Sequence, residues 1–287
     1  MTDNARAALL MMSAMAAFTL NDTFMKLLSG QMPLFQILFL RGIGAILGFA
    51  IIARVMGGLS LRLARGDRLL VLLRTVGEIG AAYFFVTALF NMPLANVNAI
   101  MQALPLTVTL AAALFLKERV GWRRLTAILI GFMGVLLIVR PGPDGLNTYA
   151  LLALASVACV TLRDLSTRRL PVRVPSLTIA LAGAVGVTAF AGVGSIWEEW
   201  ARPEARDWTY LAGSSVFVVA GYILSVGAMR GGDLGFVAPF RYMGLLWALV
   251  LGFAVFGEWP DPVTMLGAGL IVGTGLFTLY RERARRP

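Results

Sequence analysis

The chain has 287 residues, of which 59% are hydrophobic and 14% charged, with a formal net charge of +10 and no histidine. Soluble domains carry about 25% charged residues, and a mean hydropathy of +0.81 excludes a soluble globular domain. The basic excess is spread over short loops between apolar runs, which orients a membrane protein and excludes a nucleic-acid face.

Without histidine the chain lacks the commonest metal ligand and proton shuttle. Its single cysteine, Cys159, rules out a disulfide within the chain and reads as a small buried thiol in an apolar run. No metal and no cofactor are expected. The first apolar run has no convincing cleavage site and is expected to be retained.

Apolar runs bounded by charges and turn residues predict ten helices, at 6–28, 33–54, 69–91, 94–116, 123–140, 148–167, 175–196, 208–230, 234–256 and 262–281. In the first, Asn21, Asp22 and Lys26 interrupt the apolar run, and the four-residue spacing of Asp22 and Lys26 predicts a pair on one face. The second carries Arg41 and the Gly44-x-x-x-Gly48 spacing that lets helix backbones approach closely. Arg74 and Glu78 repeat the four-residue pairing in the third, which also holds Tyr83.

The fourth helix is the most telling. Asn98 and Gln102 share one face, and Pro105 leaves a backbone carbonyl without its usual donor. Polar groups at membrane depth are costly unless they line a cavity or meet a partner, so this helix reads as one wall of a solute pathway. The eighth contains Tyr222, and the tenth a Gly269-x-x-x-Gly273 packing face. The ninth holds Pro239-Phe240-Arg241-Tyr242 and Trp247, with no acid near Arg241 in sequence. Intramembrane charges face a cavity or each other. Asp22, Lys26, Arg41, Arg74 and Glu78 are therefore expected as ion pairs or proton-coupling groups. Asn98, Gln102, Arg241, Tyr242, Tyr83 and Trp247 are expected to contact substrate. Trp197, Trp200 and Trp259 fall near helix ends as interfacial anchors.

The basic residues fall on alternate connections. The second-to-third loop has Arg54, Arg62, Arg65 and Arg68, and the fourth-to-fifth Lys117, Arg119, Arg123 and Arg124. The sixth-to-seventh has Arg168, Arg169 and Arg173, and the tail Arg281, Arg283, Arg285 and Arg286. Residues 30–33, 91–93 and 257–262 have none, and the seventh-to-eighth loop is rich in acids. Ten spans with both termini cytoplasmic place every basic loop inside.

A shift of 140 residues lays Ala88 on Ala228, Leu94 on Leu234, Val97 on Val237 and Glu118 on Glu258. It also places Gln102 opposite Tyr242. Residues 1–140 and 141–287 thus read as two repeats of five helices each, and an odd number forces opposite topology.

These features, with Asn21-Asp22-x-x-x-Lys26, Arg41, Pro239-x-Arg241-Tyr242 and Glu258-x-Pro260-Asp261, resemble the EamA branch of the drug/metabolite transporter superfamily. Within it these motifs are similar to bacterial S-adenosylmethionine uptake transporters, and riboflavin transporters of the same branch are close in length and layout. The resemblance implies an all-α integral membrane protein of the bacterial inner membrane, crossing it many times and binding its substrate between the halves. It implies uptake of a small organic metabolite by alternating access, with export of amino acids or toxic metabolites as the other reading. The bilayer and the metabolite are the expected partners, and monomer and homodimer both stay open. An intramembrane enzyme would need a catalytic constellation that is missing here, and a channel a filter motif.

Overall fold

The computed structural model describes residues 3–56, 64–115, 117, 121–139, 147–171, 174–231 and 234–283. Glu118, Arg119, Arg62, Arg173, Arg285 and Arg286, cited above for the repeat and the charge bias, lie outside the described residues. The described residues form α-helices and short 3-10 turns, with no strand among them. The helices are α1 (Asp3–Leu27), α2 (Leu34–Met56), α3 (Arg65–Asn91), α4 (Leu94–Met101), α5 (Leu104–Phe115) and α6 (Trp122–Val139). They continue as α7 (Thr148–Arg168), α8 (Ser176–Gly194), α9 (Ala205–Gly231), α10 (Leu234–Val237), α11 (Met243–Phe256) and α12 (Pro262–Arg283). Each of the ten expected segments is helical. Eight are long and apolar enough to cross a bilayer, and Leu125–Val139 and Pro262–Thr278 are shorter apolar helices.

The fourth and ninth segments are not continuous, contrary to the expected unbroken spans 94–116 and 234–256. Pro105 has no N–H to give the carbonyl of Met101, so the chain tightens there. Gln102 N donates to Asn98 O at 3.1 Å, Ala103 N to Ile100 O at 3.0 Å, and α5 restarts at Leu104. Pro239 likewise withdraws a donor from the ninth segment, where Ala238–Tyr242 winds as a 3-10 helix between α10 and α11.

Local chemistry fixes other boundaries. The Asn147 side chain accepts from Tyr149 N and Ala150 N to start α7, and Asp261 accepts from Val263 N and Thr264 N at the start of α12. Pro262 occupies the first helical position of α12, where no N–H is needed. Gly257, at φ 66°, closes α11 in the left-handed conformation that glycine adopts without a Cβ clash.

The main helix pairs are α1 with α9, α3 with α7, α2 with α8, and α6 with α12. Further contacts join α2 to α9, α3 to α8, α1 to α11, α7 to both α4 and α5, and α4 to α11. Close backbone approach permits this. A Cβ on Gly44 would meet the Ser215 hydroxyl, and one on Gly48 would lie 3.0 Å from Val219, so the first glycine pair packs α2 on α9 as expected. The second does not pack: Gly269 and Gly273 face open space, and Gly267 meets Gly134 of α6 instead. The expected spacing was right for the helix and wrong for the face, because Gly267 lies two residues before Gly269 and so about 200° around the helix.

The connections without arginine and the acid-rich one, which holds Arg202 and Arg206 among its acids, converge at one end of the bundle. Glu198, in the loop before α9, accepts from Phe35 N and Gln36 N at the start of α2. Fully buried Gln36 closes a two-way amide pair with Ala201. At the same end Lys26 of α1 bonds the carbonyl of Met92, between α3 and α4.

Candidate functional site

The expected Asp22–Lys26 pair does not form. Lys26 turns to the end of the bundle, where its Nζ lies 2.6 Å from Glu258 Oε1 and donates to Met92 O at 2.7 Å. The other Glu258 oxygen accepts from Leu94 N, the first N–H of α4, at 2.9 Å. The Lys26 ammonium also sits 5.0 Å from the centre of the Phe256 ring. Helical spacing made Asp22 reachable, but Glu258 offers Lys26 a carboxylate already fixed by a helix N-terminus.

Asp22 instead belongs to a polar group deeper in the bundle. Asn21, 7% exposed, donates its Nδ2 to Asp22 Oδ1 at 2.9 Å, and its Oδ1 accepts from Arg41 of α2 at 3.1 Å. Asn98 of α4 reaches the same Asp22 carboxylate, and its amide donates to Leu94 O at 3.1 Å. Ser215 of α9 holds the Arg41 backbone carbonyl at 3.0 Å. Arg41 lies within the electrostatic reach of both Asp22 and Glu78.

Glu78 is the next charge along. The expected Arg74–Glu78 pair forms at 3.3 Å, and Arg163 of α7 approaches Glu78 from the other side at 3.4 Å. Arg163 then bonds Asp164 at 3.0 Å, and buried Arg74 donates to Ile179 O of α8 at 3.2 Å. A relay of charge and amide thus runs from α1 through α2 and α3 to α7. Sequence reading passed over Arg163 and Asp164, although an adjacent Arg-Asp inside the 148–167 span was the available signal. The side chains of Glu78, Arg163 and Asp164 are 26–28% exposed.

The breaks in the fourth and ninth segments supply the facing wall. The Gln102 amide, at the end of α4, lies beside Gly244 of α11, which also adjoins Met15 of α1. Tyr242 and Trp247 each bury a donor, the phenol hydroxyl and the indole Nε1, with no hydrogen-bond partner. Tyr242 packs its ring against Gly275 of α12. Arg241 is exposed, and among the described residues no carboxylate pairs with it. Tyr83 sits apart from this wall, stacked on Phe35 with Phe84 and Phe190 edge-on. Tyr222 donates its hydroxyl to Ser176 O and meets Phe49 edge-on. Among the described residues no cluster of acids and cysteine could hold a metal ion.

Comparison with known proteins follows this layout. The sequence profile of the EamA-like transporter family matches residues 5–140 and 147–280. An S-adenosylmethionine uptake transporter of Rickettsia conorii is 24% identical over 193 residues, which is 67% of this chain. The chain spans 65% of that relative's own length. The pseudopaline exporter of Pseudomonas aeruginosa is 28% identical over 273 residues, 91% of this chain and 92% of that one. A riboflavin transporter of Rhizobium johnstonii is 31% identical over 206 residues, covering 71% and 68% of the two chains. A solved crystal structure superposes with a TM-score of 0.65 over 98% of this chain and 99% of the other, at 21% identity, and so shares the fold.

Proposed function

Because the chain belongs to the EamA-like transporter family and is a transporter rather than an enzyme, we propose that it carries a small organic metabolite across the bacterial inner membrane by alternating access. The reading includes ten spans, two inverted repeats at 1–140 and 141–287, and both termini in the cytoplasm. One observation carries it: the fourth and ninth segments both break near their first third, the two breaks meeting under the shift, and α4 packs on α11. The 140-residue shift lays Gln102, where the first break begins, on Tyr242, where the second ends. Paired discontinuous helices are where such carriers expose polar groups to solute.

The helix pairing supports the duplication. Exchanging the halves turns α1–α9 into α7–α3, α2–α9 into α8–α3, and α1–α11 into α7–α5. It leaves α2–α8 and α6–α12 paired with themselves. The gathering of the arginine-poor connections at one end supports the orientation, since that end is then the periplasmic one.

In this reading Asn98 and Gln102 hydrogen-bond the solute from one wall, and Tyr242, Trp247 and Arg241 contact it from the other. The unpartnered buried donors of Tyr242 and Trp247 favour the assignment, because such groups are costly unless a ligand or water meets them. Tyr83, the remaining candidate for substrate contact, lies in its aromatic cluster away from this wall, and Asp22 or Glu78 carries the proton where transport is proton-coupled. Uptake of a compound like S-adenosylmethionine or riboflavin is the leading direction. Export is the second reading, favoured by the exporter relative that aligns along 91% of the chain.

The test is accumulation of labelled S-adenosylmethionine and riboflavin in cells expressing the chain, with efflux from preloaded cells run alongside. Saturable movement of either, blocked by excess unlabelled compound and lost in Gln102→Ala with normal membrane insertion, is the expected result. Full transport by Gln102→Ala removes the broken-helix wall from the site.

A further inference from the structure

The relay of charges divides unevenly. Three arginines and three carboxylates lie along it, from α1 (Asp22), α2 (Arg41), α3 (Arg74, Glu78) and α7 (Arg163, Asp164). Glu78 is taken by Arg74 and Arg163, and Asp164 by Arg163. Asp22 and Arg41 are what remain. Opposite charges this close ordinarily collapse into a direct, often bidentate, pair. Here they do not: no salt bridge within 4.0 Å joins them among the described residues, and the Asn21 amide bonds one on each side. The Arg41 Nε is buried and has no acceptor. Asn98 comes to Asp22 from α4, the wall already assigned to the solute pathway.

A cation and an anion held apart inside a membrane protein are an expensive arrangement, since each keeps much of its desolvation cost. The cost is offset when a ligand supplies both missing charges. We propose that Asp22 and Arg41, spaced by Asn21, bind a zwitterionic head group of the α-amino acid type. Its carboxylate lies on the Arg41 guanidinium and its ammonium on the Asp22 carboxylate. The proposal rests on the carrier reading above and names the class of substrate that such a carrier moves. It also separates compounds named for the relatives: S-adenosylmethionine carries an ammonium and a carboxylate on one carbon, and riboflavin carries neither.

The test varies ligand and protein separately. With purified full-length protein, thermal stabilisation is measured for S-adenosylmethionine, L-methionine, 5′-methylthioadenosine (the nucleoside thioether without the amino acid head) and riboflavin. Stabilisation by the first two and not by the last two is expected. Binding of 5′-methylthioadenosine or riboflavin as tight as that of S-adenosylmethionine overturns the proposal, and no mutant is needed for that outcome.

On the protein side, Arg41→Lys and Asp22→Asn each weaken binding of the amino acid compounds by roughly 10- to 100-fold, the size of one hydrogen bond to a charged group. Asn21→Ala is the sharper variant. Without the spacer Asp22 and Arg41 close on each other, so binding falls by a similar factor while the melting temperature of the free protein holds or rises. Retained binding in Asn21→Ala overturns the proposal. Transport of riboflavin by vesicles holding the wild-type chain, with no binding of any amino acid compound, removes the head-group site and leaves the carrier reading standing. Failure to move any of the four compounds in either direction removes the S-adenosylmethionine- or riboflavin-like substrate reading as well.

Discussion

Lys26 and Glu258 stand 232 positions apart in the sequence and meet at 2.6 Å, joining the end of α1 to the turn between α11 and α12. Glu258 also receives the first N–H of α4, so one carboxylate ties three elements at the arginine-poor end. Removing one member of a largely buried pair leaves the other charge uncompensated, which typically costs about 3 kcal/mol. The Glu258 side chain is 25% exposed, so solvent reduces that figure. Lys26→Ala and Glu258→Ala are each expected to lower the melting temperature. The double variant should be less unstable than the sum of the two, and full additivity in such a cycle would show that the contact contributes nothing.

Glu78 holds two arginines, one of them, Arg74, only 8% exposed. Glu78→Gln leaves both cations without their carboxylate and is expected to destabilise the protein by about 2–3 kcal/mol. Arg163→Gln should cost less, because Arg74 still neutralises Glu78. Chemical denaturation of the two purified variants ranks them, and an equal or reversed order contradicts the shared-carboxylate arrangement.

Between α6 and α12 the backbones touch at glycine. A Cβ on Gly267 would lie 2.6 Å from Gly134 O, and one on Gly134 would lie 2.7 Å from Gly267 O. Gly267→Ala therefore forces the helices apart, at a cost of about 1–3 kcal/mol. Gly269→Ala, two residues on, meets nothing and gains helix propensity of about 0.5–1 kcal/mol. Retention of a monodisperse peak on heating distinguishes the two, with Gly269→Ala the more heat-stable.

Arg241 is exposed and lacks a carboxylate partner among the described residues, so its removal has little to destabilise. Arg241→Ala is expected to keep the wild-type melting temperature within about 0.5 kcal/mol of stability and to lower transport. Unchanged transport at unchanged stability takes Arg241 out of the substrate wall.

Orientation can be read with single cysteines placed in a Cys159→Ser background. Exposed Arg169, beyond the end of α7, and exposed Glu204, before α9, lie on connections of opposite charge character. An impermeant thiol reagent added to intact cells should label Glu204→Cys and spare Arg169→Cys. The reverse pattern inverts the whole topology, including which end the Lys26–Glu258 tie closes.

Much of this molecule is legible from residue order. Segment positions follow from hydropathy because a bilayer leaves few choices: each backbone N–H and carbonyl must be satisfied within the span, so a long apolar run becomes a helix. The Arg74–Glu78 pair follows from a four-residue spacing within one helix, and Pro105 was visible as the cause of the break at 102–103 although the span was expected unbroken. The Gly44 and Gly48 contact was legible as a packing face, though its partners Ser215 and Val219 were not.

What the tertiary structure alone decided are the choices among competing partners. Lys26 had Asp22 one turn away and took Glu258; Asp22 was left to Asn21, Arg41 and Asn98. Gly269 had the right spacing and the wrong face, while Gly267 met α6. Arg163 and Asp164 entered the site only because α7 packs along α3 and brings them to Glu78. Periodicity fixes which residues share a side of one helix, since the 3.6-residue turn is a local property. Which side then faces another helix depends on rotations and crossings set by all the packed elements at once, and a charge at membrane depth goes to whichever partner that packing presents.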